Sequence, residues 1–141
     1  MSVLDSIVRN IYISNNDFMG INSQSCDCSA IIVDYGNKLE IYEHTEHIED
    51  GAISATCIDS FDKLLFSHQV ELDNEFFMLD KKLFKEDDSL DAVRFKFKDV
   101  YLFIFASEYN LILTKSKCDI FEDQPIVFPE TEAVLSIKQL E

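Results

Sequence analysis

The hydrophobic and polar positions along the chain predict a run of β-strands from about residue 30 onward. The segment "AIIVDYGNKLEIYEH" holds two strand-like runs on either side of Gly36-Asn37, a favoured two-residue hairpin turn. In the second run Leu39 and Ile41 alternate with polar neighbours, which predicts one buried and one solvated face. Two further strand-like segments, "AISATCI" and "KLLFSHQVEL", follow at hairpin spacing.

Three more strands are predicted in the second half of the chain. "AVRFKFK" alternates apolar and basic residues, which is typical of a half-buried strand. "VYLFIFA" is continuously apolar and predicts a central strand covered on both faces, and "YNLILTKSK" predicts one more strand. The segment 80–91 has no clean period and mixes charges of both signs, so it is interpreted as a solvated loop.

The two ends of the chain predict helices. Apolar residues between about residue 3 and 11 fall on one helical face, and Ser2 with Asp5 resembles a capping pair. Pro129 suits the first position of a C-terminal helix that continues through residues 130–141, with a strand through "AVLSIKQL" as the alternative. The segment "NSQSCDCS" is interpreted as a polar loop. The predicted fold class is therefore α+β, with an antiparallel sheet of about six strands, a short N-terminal helix and a C-terminal helix.

Composition favours a single domain over residues 1–141. The chain is 47% hydrophobic and contains 12 Phe but only 3 Gly and 2 Pro, which is typical of one compact core. The N-terminus lacks the basic region of a secretory signal, and the longest apolar run is far shorter than the ~20 residues of a membrane-spanning helix. We therefore expect a cytoplasmic protein with free thiols, in which Cys57 is a small core residue.

Charge is the strongest compositional signal. The net charge is −15, and residues 1–80 carry fifteen acids against three bases. Such a field repels nucleic acid and anionic membranes and attracts basic partners. No direct nucleic-acid or membrane partner is expected.

The segment "YEHTEHIED" is the strongest candidate for a metal site. Its histidines, His44 and His47, lack the spacing of a zinc-protease helix, and on a strand they would point to opposite faces. Cys26 and Cys28 are separated by one residue, whereas zinc sites typically have two or more spacers between paired cysteines. The prediction is an acidic recognition surface without a metal or cofactor. A metal- or thiol-dependent enzyme that uses these four residues is the least favoured alternative.

Motifs for catalysis are missing from the sequence. It has no nucleophile elbow, no glycine-rich phosphate loop and no dinucleotide fingerprint. Adjacent carboxylates lie in polar stretches where both would stay ionised, so they do not form an acid–base pair. The basic residues of "RFKFK" lie opposite its phenylalanines, which argues against a nucleic-acid-binding sheet. The sequence therefore predicts a protein that is not an enzyme and has no catalytic residues.

The function that fits best is an immunity- or antitoxin-type inhibitor of a basic, nuclease-like toxin. Acidic clusters steer basic partners and raise association rates. The alternative is a nucleic-acid mimic or scaffold protein, which would spread its acids over an elongated face. The candidate partner-binding residues are Glu40, Tyr42, Glu43, Glu46, Glu49, Asp50, Asp59 and Asp62.

Overall fold

The computed structural model describes residues 7–14, 25–45, 51–85, 89–106, 110–117 and 135–140, and their regular structure is all β. The α+β prediction is therefore wrong: this part of the chain contains no helix, and it has eleven strands where about six were expected. The strands are β1 (Asn10–Ile13), β2 (Ser25–Cys28), β3 (Ala30–Asp34), β4 (Leu39–Thr45), β5 (Ala52–Ile58), β6 (His68–Val70), β7 (Met78–Phe84), β8 (Leu90–Phe97), β9 (Val100–Ala106), β10 (Leu111–Ser116) and β11 (Ile137–Gln139).

The strands form one antiparallel sheet that curls into a half-barrel. Their spatial order is β11-β6-β1-β3-β4-β5-β8-β9-β10-β2, and β7 pairs with β8 beside this path. The junction between β5 and β8 rests on one register pair, Ile53 with Leu90. Because the order of strands in the sheet differs from their order in the sequence, neighbouring strands bring together residues from distant parts of the chain.

The predicted hairpin at Gly36-Asn37 is confirmed. β3 and β4 pair antiparallel over five register positions, ending at Asp34 with Leu39. Gly36 has a φ of 92°, a left-handed conformation that glycine adopts without steric cost. The Asp34 carboxylate accepts a hydrogen bond from the Gly36 N–H at 2.7 Å, which fixes the turn.

The main hydrophobic core lies on the inner face. Period-2 alternation directs every second residue there, so Ile11 and Ile13 of β1 pack beside Ile31 and Val33 of β3. The core continues through Phe95, Leu102, Leu113 and the two cysteines of β2, all buried. A strand of fully apolar residues needs cover on both faces, and β9 has it, as predicted.

A second, smaller cluster lies on the outer face. Phe103 and Phe105 of β9 are buried there, and Tyr101, Phe103 and Phe105 stack in a row with ring centroids 5.7 and 5.5 Å apart. The alternation of β8 is confirmed: Phe95 is buried on the inner face, while Arg94 and Lys96 lie on the opposite face.

The predicted terminal helices are not found where the chain is described. Ile7 forms an isolated bridge with Met78, and β1 then pairs with β3 and β6. Because Ile11 and Ile13 are both buried, the local period is two, not the 3.6 of a helix. At the other end β11 pairs with β6, in agreement with the alternative strand prediction, whereas Pro129 lies outside the described residues.

Two predicted loops are strands. The segment 80–91 contributes most of β7 and the start of β8. Register shifts after Leu79 and Leu83 break the alternation of β7, which explains why no period was visible in the sequence. The "SCDC" part of the polar loop is β2, whose cysteines are buried against β10.

Within the residues that the structure describes, no helix is long and apolar enough to cross a membrane.

Candidate functional site

The structure separates the predicted partner-binding residues. Glu40 and Tyr42 of β4 point to the inner face and are buried, with Glu40 only 7% exposed. The prediction that this face of β4 is solvated is therefore wrong, because Leu39 and Ile41 take the outer face instead. A partner docked on the described surface cannot reach Glu40 or Tyr42 directly.

The remaining candidates lie elsewhere. Glu43 is exposed on the outer face of β4, where it pairs in register with Ser54. Asp59 and Asp62 are exposed just after the end of β5 and are close in sequence to each other. Glu46, Glu49 and Asp50 lie outside the described residues. Asp59 and Asp62 therefore share one short segment after β5, and Glu43 lies near the far end of β4.

Glu40 and Tyr42 belong to a buried polar cluster with Tyr35 and Lys82. Lys82 donates to both Glu40 carboxylate oxygens, at 3.0 and 3.2 Å, and its ammonium lies 5.7 Å from the centre of the Tyr42 ring. The Tyr42 hydroxyl donates to Glu40, and the hydroxyls of Tyr42 and Tyr35 are 3.2 Å apart. The register shift in β7 directs Lys82 inward, so the cluster ties β7 to β4 across the inner face.

Burial sets the protonation states of the two tyrosines. Loss of solvent raises the pKa of Tyr42 far above its ordinary value, and Tyr35 and the Glu40 carboxylate raise it further. Burial also raises the pKa of Tyr35, against the opposing effect of its hydrogen bond with Tyr42. Both phenols are therefore neutral at physiological pH, and the one carboxylate in the cluster is balanced by one ammonium. This cluster is a structural tie that sequence spacing did not reveal, because Lys82 is 42 residues from Glu40.

Ion pairs within the described chain join its strongly acidic first 80 residues to bases from the less acidic later part. Lys82 binds Glu40, Arg94 binds Asp80 at 2.6 Å, and Lys115 binds Glu75 at 2.6 Å. In each pair the acid comes from the first 80 residues and the base from the later part of the chain. By contrast, the exposed carboxylates of Glu43 and Asp59 form no ion pair with any described residue.

The segment 59–67, here called the crossing segment, connects β5 to β6. In the sheet these two strands are separated by β4, β3 and β1, so the segment has to pass over those strands. Phe61 packs on Tyr12 of β1 with ring centroids 4.7 Å apart, and Phe66 packs edge-on against Phe61 at 5.9 Å. Tyr12 pairs in register with Ile32 and shares the outer face with it, so the crossing segment lies on the outer face.

A turn at the middle of the crossing segment presents two leucines to solvent. The Asp62 carboxylate accepts a hydrogen bond from the Leu64 N–H at 2.9 Å, and the Asp62 carbonyl accepts from Leu65 and Phe66. Leu64 is 80% exposed and Leu65 is 52% exposed. The sequence did not reveal these residues, because "KLLFSHQVEL" was interpreted as a strand. In the structure its first part is a turn, in which Leu64 and Leu65 face solvent and Phe66 packs on Phe61.

The residues of the least favoured metal-site hypothesis are not assembled in the described part of the chain. Cys26 and Cys28 lie in β2, at one end of the sheet order, while His44 lies in β4 near its middle. No group of three or more His, Cys, Asp or Glu residues among the described positions is suited to hold a metal ion, and His47 is outside them. Cys57, expected in the core, is an exposed free thiol.

Tyr12 of β1 lies close to both Phe61 of the crossing segment and the carboxylate of Asp34. Burial raises the pKa of Tyr12, and the nearby Asp34 carboxylate adds to the increase. Its phenol stays neutral at physiological pH, and its ring packs against Phe61. The candidate functional site is accordingly the crossing segment. It presents exposed carboxylates and exposed leucines, and Phe61 packs it against Tyr12 of the sheet.

Comparison with known proteins gives no further guide to function, since no family model, curated protein or solved structure matches the chain.

Proposed function

We propose that this protein binds a basic partner protein in the cytoplasm and neutralises it, as immunity and antitoxin proteins do. The observation that carries the proposal is the presence of exposed carboxylates, at Glu43 and Asp59, that form no ion pair with the described residues. The net charge of −15 adds a long-range attraction for cationic surfaces.

A nuclease-type toxin is the partner class that fits this charge best. An enzyme that degrades nucleic acid has a cationic active site, because it binds phosphates. An acidic protein that covers such a site is steered to it by complementary potentials, which raise the association rate more than the intrinsic affinity. The proposed mechanism is therefore steric occlusion of a cationic site after fast electrostatic encounter.

The experiment identifies the partner and then measures the interaction with purified proteins. Chemical cross-linking in the native host, followed by mass spectrometry, supplies candidate partners, which are expressed and purified. The expected result is a stoichiometric complex with a protein of net positive charge whose activity is lost on binding. The association rate is expected to fall steeply between about 50 and 200 mM salt. If no cross-linked protein is basic, or if none forms a complex at low salt, the proposal is wrong.

A pair of charge reversals locates the electrostatic contact. Asp59→Lys is expected to slow association and to reduce its salt dependence, because it removes a carboxylate at the candidate site. Asp91→Lys changes the net charge equally at an exposed position on β8 and serves as the matched control. Asp91 follows Leu90, whose register partner Ile53 is six residues before Asp59 along the chain. Because the screening length is ~8 Å at about 0.15 M salt, this control should have the smaller effect. Equal effects of the two variants would place the contact away from Asp59.

A further inference from the structure

We propose that the outward side of the crossing segment is the contact surface, and that Leu64 and Leu65 insert into an apolar pocket rimmed by Lys and Arg on the basic partner. This inference rests on the proposed function and adds the residues that form the contact and the chemistry of the surface that receives them. The partner is a basic protein and not a second copy of this chain, whose net charge of −15 would repel its own copies.

The side chains of these two leucines add little to the buried core. Phe61 and Phe66 already supply the inward apolar contact of the crossing segment, through the ring of Tyr12. Leu64 and Leu65, at 80% and 52% exposed, lie on the other side of the turn and bury little surface within the chain. Their adjacent side chains form an exposed apolar patch with polar neighbours, the kind of surface that a partner protein can cover.

The turn holds the leucines in place before any partner arrives. Three hydrogen bonds to Asp62 fix the backbone of residues 64–66: one to its carboxylate and two to its carbonyl. Phe61 packs on Tyr12 of the sheet, and Phe66, at the other end of the turn, packs on Phe61. A contact surface that is already ordered loses less conformational entropy on binding, so more of its contact energy appears as affinity.

Charge complementarity selects the partner. Asp59 and Asp62 precede the leucines and are both exposed, against one cation, Lys63, in the same turn. Asp62 is engaged by its own turn, yet its carboxylate accepts one backbone N–H and keeps further acceptor capacity. Exposed carboxylates beside an apolar centre match a partner with cationic residues around an apolar pocket, the common arrangement of a polar rim around a buried core.

The chain offers a matched control at Phe84. This residue is 65% exposed, at the end of β7, and the next residue is Lys85. It presents a large apolar side chain of similar exposure outside the crossing segment. Replacing it by Ser removes exposed apolar surface without touching the crossing segment.

The test compares Leu64→Ser/Leu65→Ser with Phe84→Ser in binding to the purified basic partner. The leucine variant is expected to bind at least about tenfold more weakly, since truncation of central contact residues commonly has that effect or a larger one. The Phe84 variant is expected to bind like the unmodified chain. Unchanged affinity of a folded leucine variant overturns the inference while leaving the proposed function intact, whereas the absence of any basic partner defeats the proposed function itself.

A photo-cross-linking amino acid provides a second measurement that does not depend on the folding of the Ser variant. Placed at position 64 it is expected to cross-link to the basic partner in a preformed complex, and placed at position 84 it is not. Cross-linking at position 84 alone overturns the inference. So does a position-64 cross-link between two copies of this chain that coincides with dimers in sedimentation, because the leucines would then form a self-association surface.

Discussion

The side chain of Lys82 compensates a carboxylate that would otherwise be buried without a counter-charge. Glu40 and Lys82 keep 9% and 23% of their side-chain surface exposed, so their ion pair is largely removed from water. Lys82→Met is expected to lower the free energy of unfolding by about 3 kcal/mol, near the lower end for removing one partner of a buried pair. Urea denaturation measures this change.

A second substitution separates the loss of charge pairing from the loss of packing. Adding Glu40→Gln to Lys82→Met removes the unpaired charge and should recover more than half of the lost stability. The matched control is Lys115→Met, which breaks the ion pair with Glu75 at a site where Glu75 is 20% exposed and can still reach water. If the double variant is as unstable as the single one, the carboxylate of Glu40 is not the source of the loss.

The buried tyrosines make the free energy of unfolding depend on pH in the alkaline range. Because burial raises the pKa of Tyr35 and Tyr42 in the folded state, the unfolded chain releases their protons first as pH rises above the ordinary value of 10.0. Their stabilising contribution is complete below that pH and is lost above it, at about 1.4 kcal/mol per pH unit for each tyrosine. Denaturant titrations from pH 9 upward are expected to show a shallower decline for Tyr42→Phe than for the unmodified chain. Parallel declines would contradict the predicted protonation of this residue.

At the level of elements, the crossing segment owes its position to two aromatic side chains. Phe61→Ala is expected to destabilise the protein by about 1–2 kcal/mol, less than the 3–5 kcal/mol of a fully buried phenylalanine, because Phe61 is only half-buried. Hydrogen exchange of residues 62–66 should become faster in this variant, while exchange in β9 stays unchanged. The leucine variant of the same turn serves as the control, because the side chains of Leu64 and Leu65 are exposed and their replacement should leave exchange slow.

Elements with a strong local pattern were predictable from the sequence, and those that depend on distant partners were not. The β3–β4 hairpin carries its own turn signal at Gly36-Asn37, and the run 100–106 is apolar enough to require a covered strand. By contrast β11 has three residues and pairs with β6, about 70 positions earlier, so little in its own sequence distinguishes it from a helix. β7 was missed because its bulges remove the alternation by which a strand is recognised.

The same limit applies to the candidate site. Asp59 and Asp62 could be identified from charge alone, but the side of β4 that faces water could not, because Lys82 makes burial of Glu40 possible and comes from another strand. The exposure of Leu64 likewise follows from the path of the chain over the sheet. Local pattern gives the composition of a surface, and long-range pairing decides which residues lie on it.

For the whole molecule, the uneven charge predicts a stability that increases with ionic strength. With a net charge of −15, the acidic side chains repel one another most strongly when the compact folded state holds them close together. Raising NaCl from about 10 mM to about 0.15 M shortens the screening length from ~30 to ~8 Å, which weakens this repulsion more than it weakens the partly buried ion pairs of Glu40 and Glu75. The urea midpoint is therefore expected to rise over this range. A variant that replaces exposed acids by amides, Glu43→Gln/Asp59→Asn/Asp91→Asn, should show a higher midpoint at low salt and a smaller rise. A midpoint that falls with added NaCl would mean that attractive pairs dominate the electrostatic free energy of the fold, and the exposed carboxylates would then be balanced within the chain instead of being available to a basic partner.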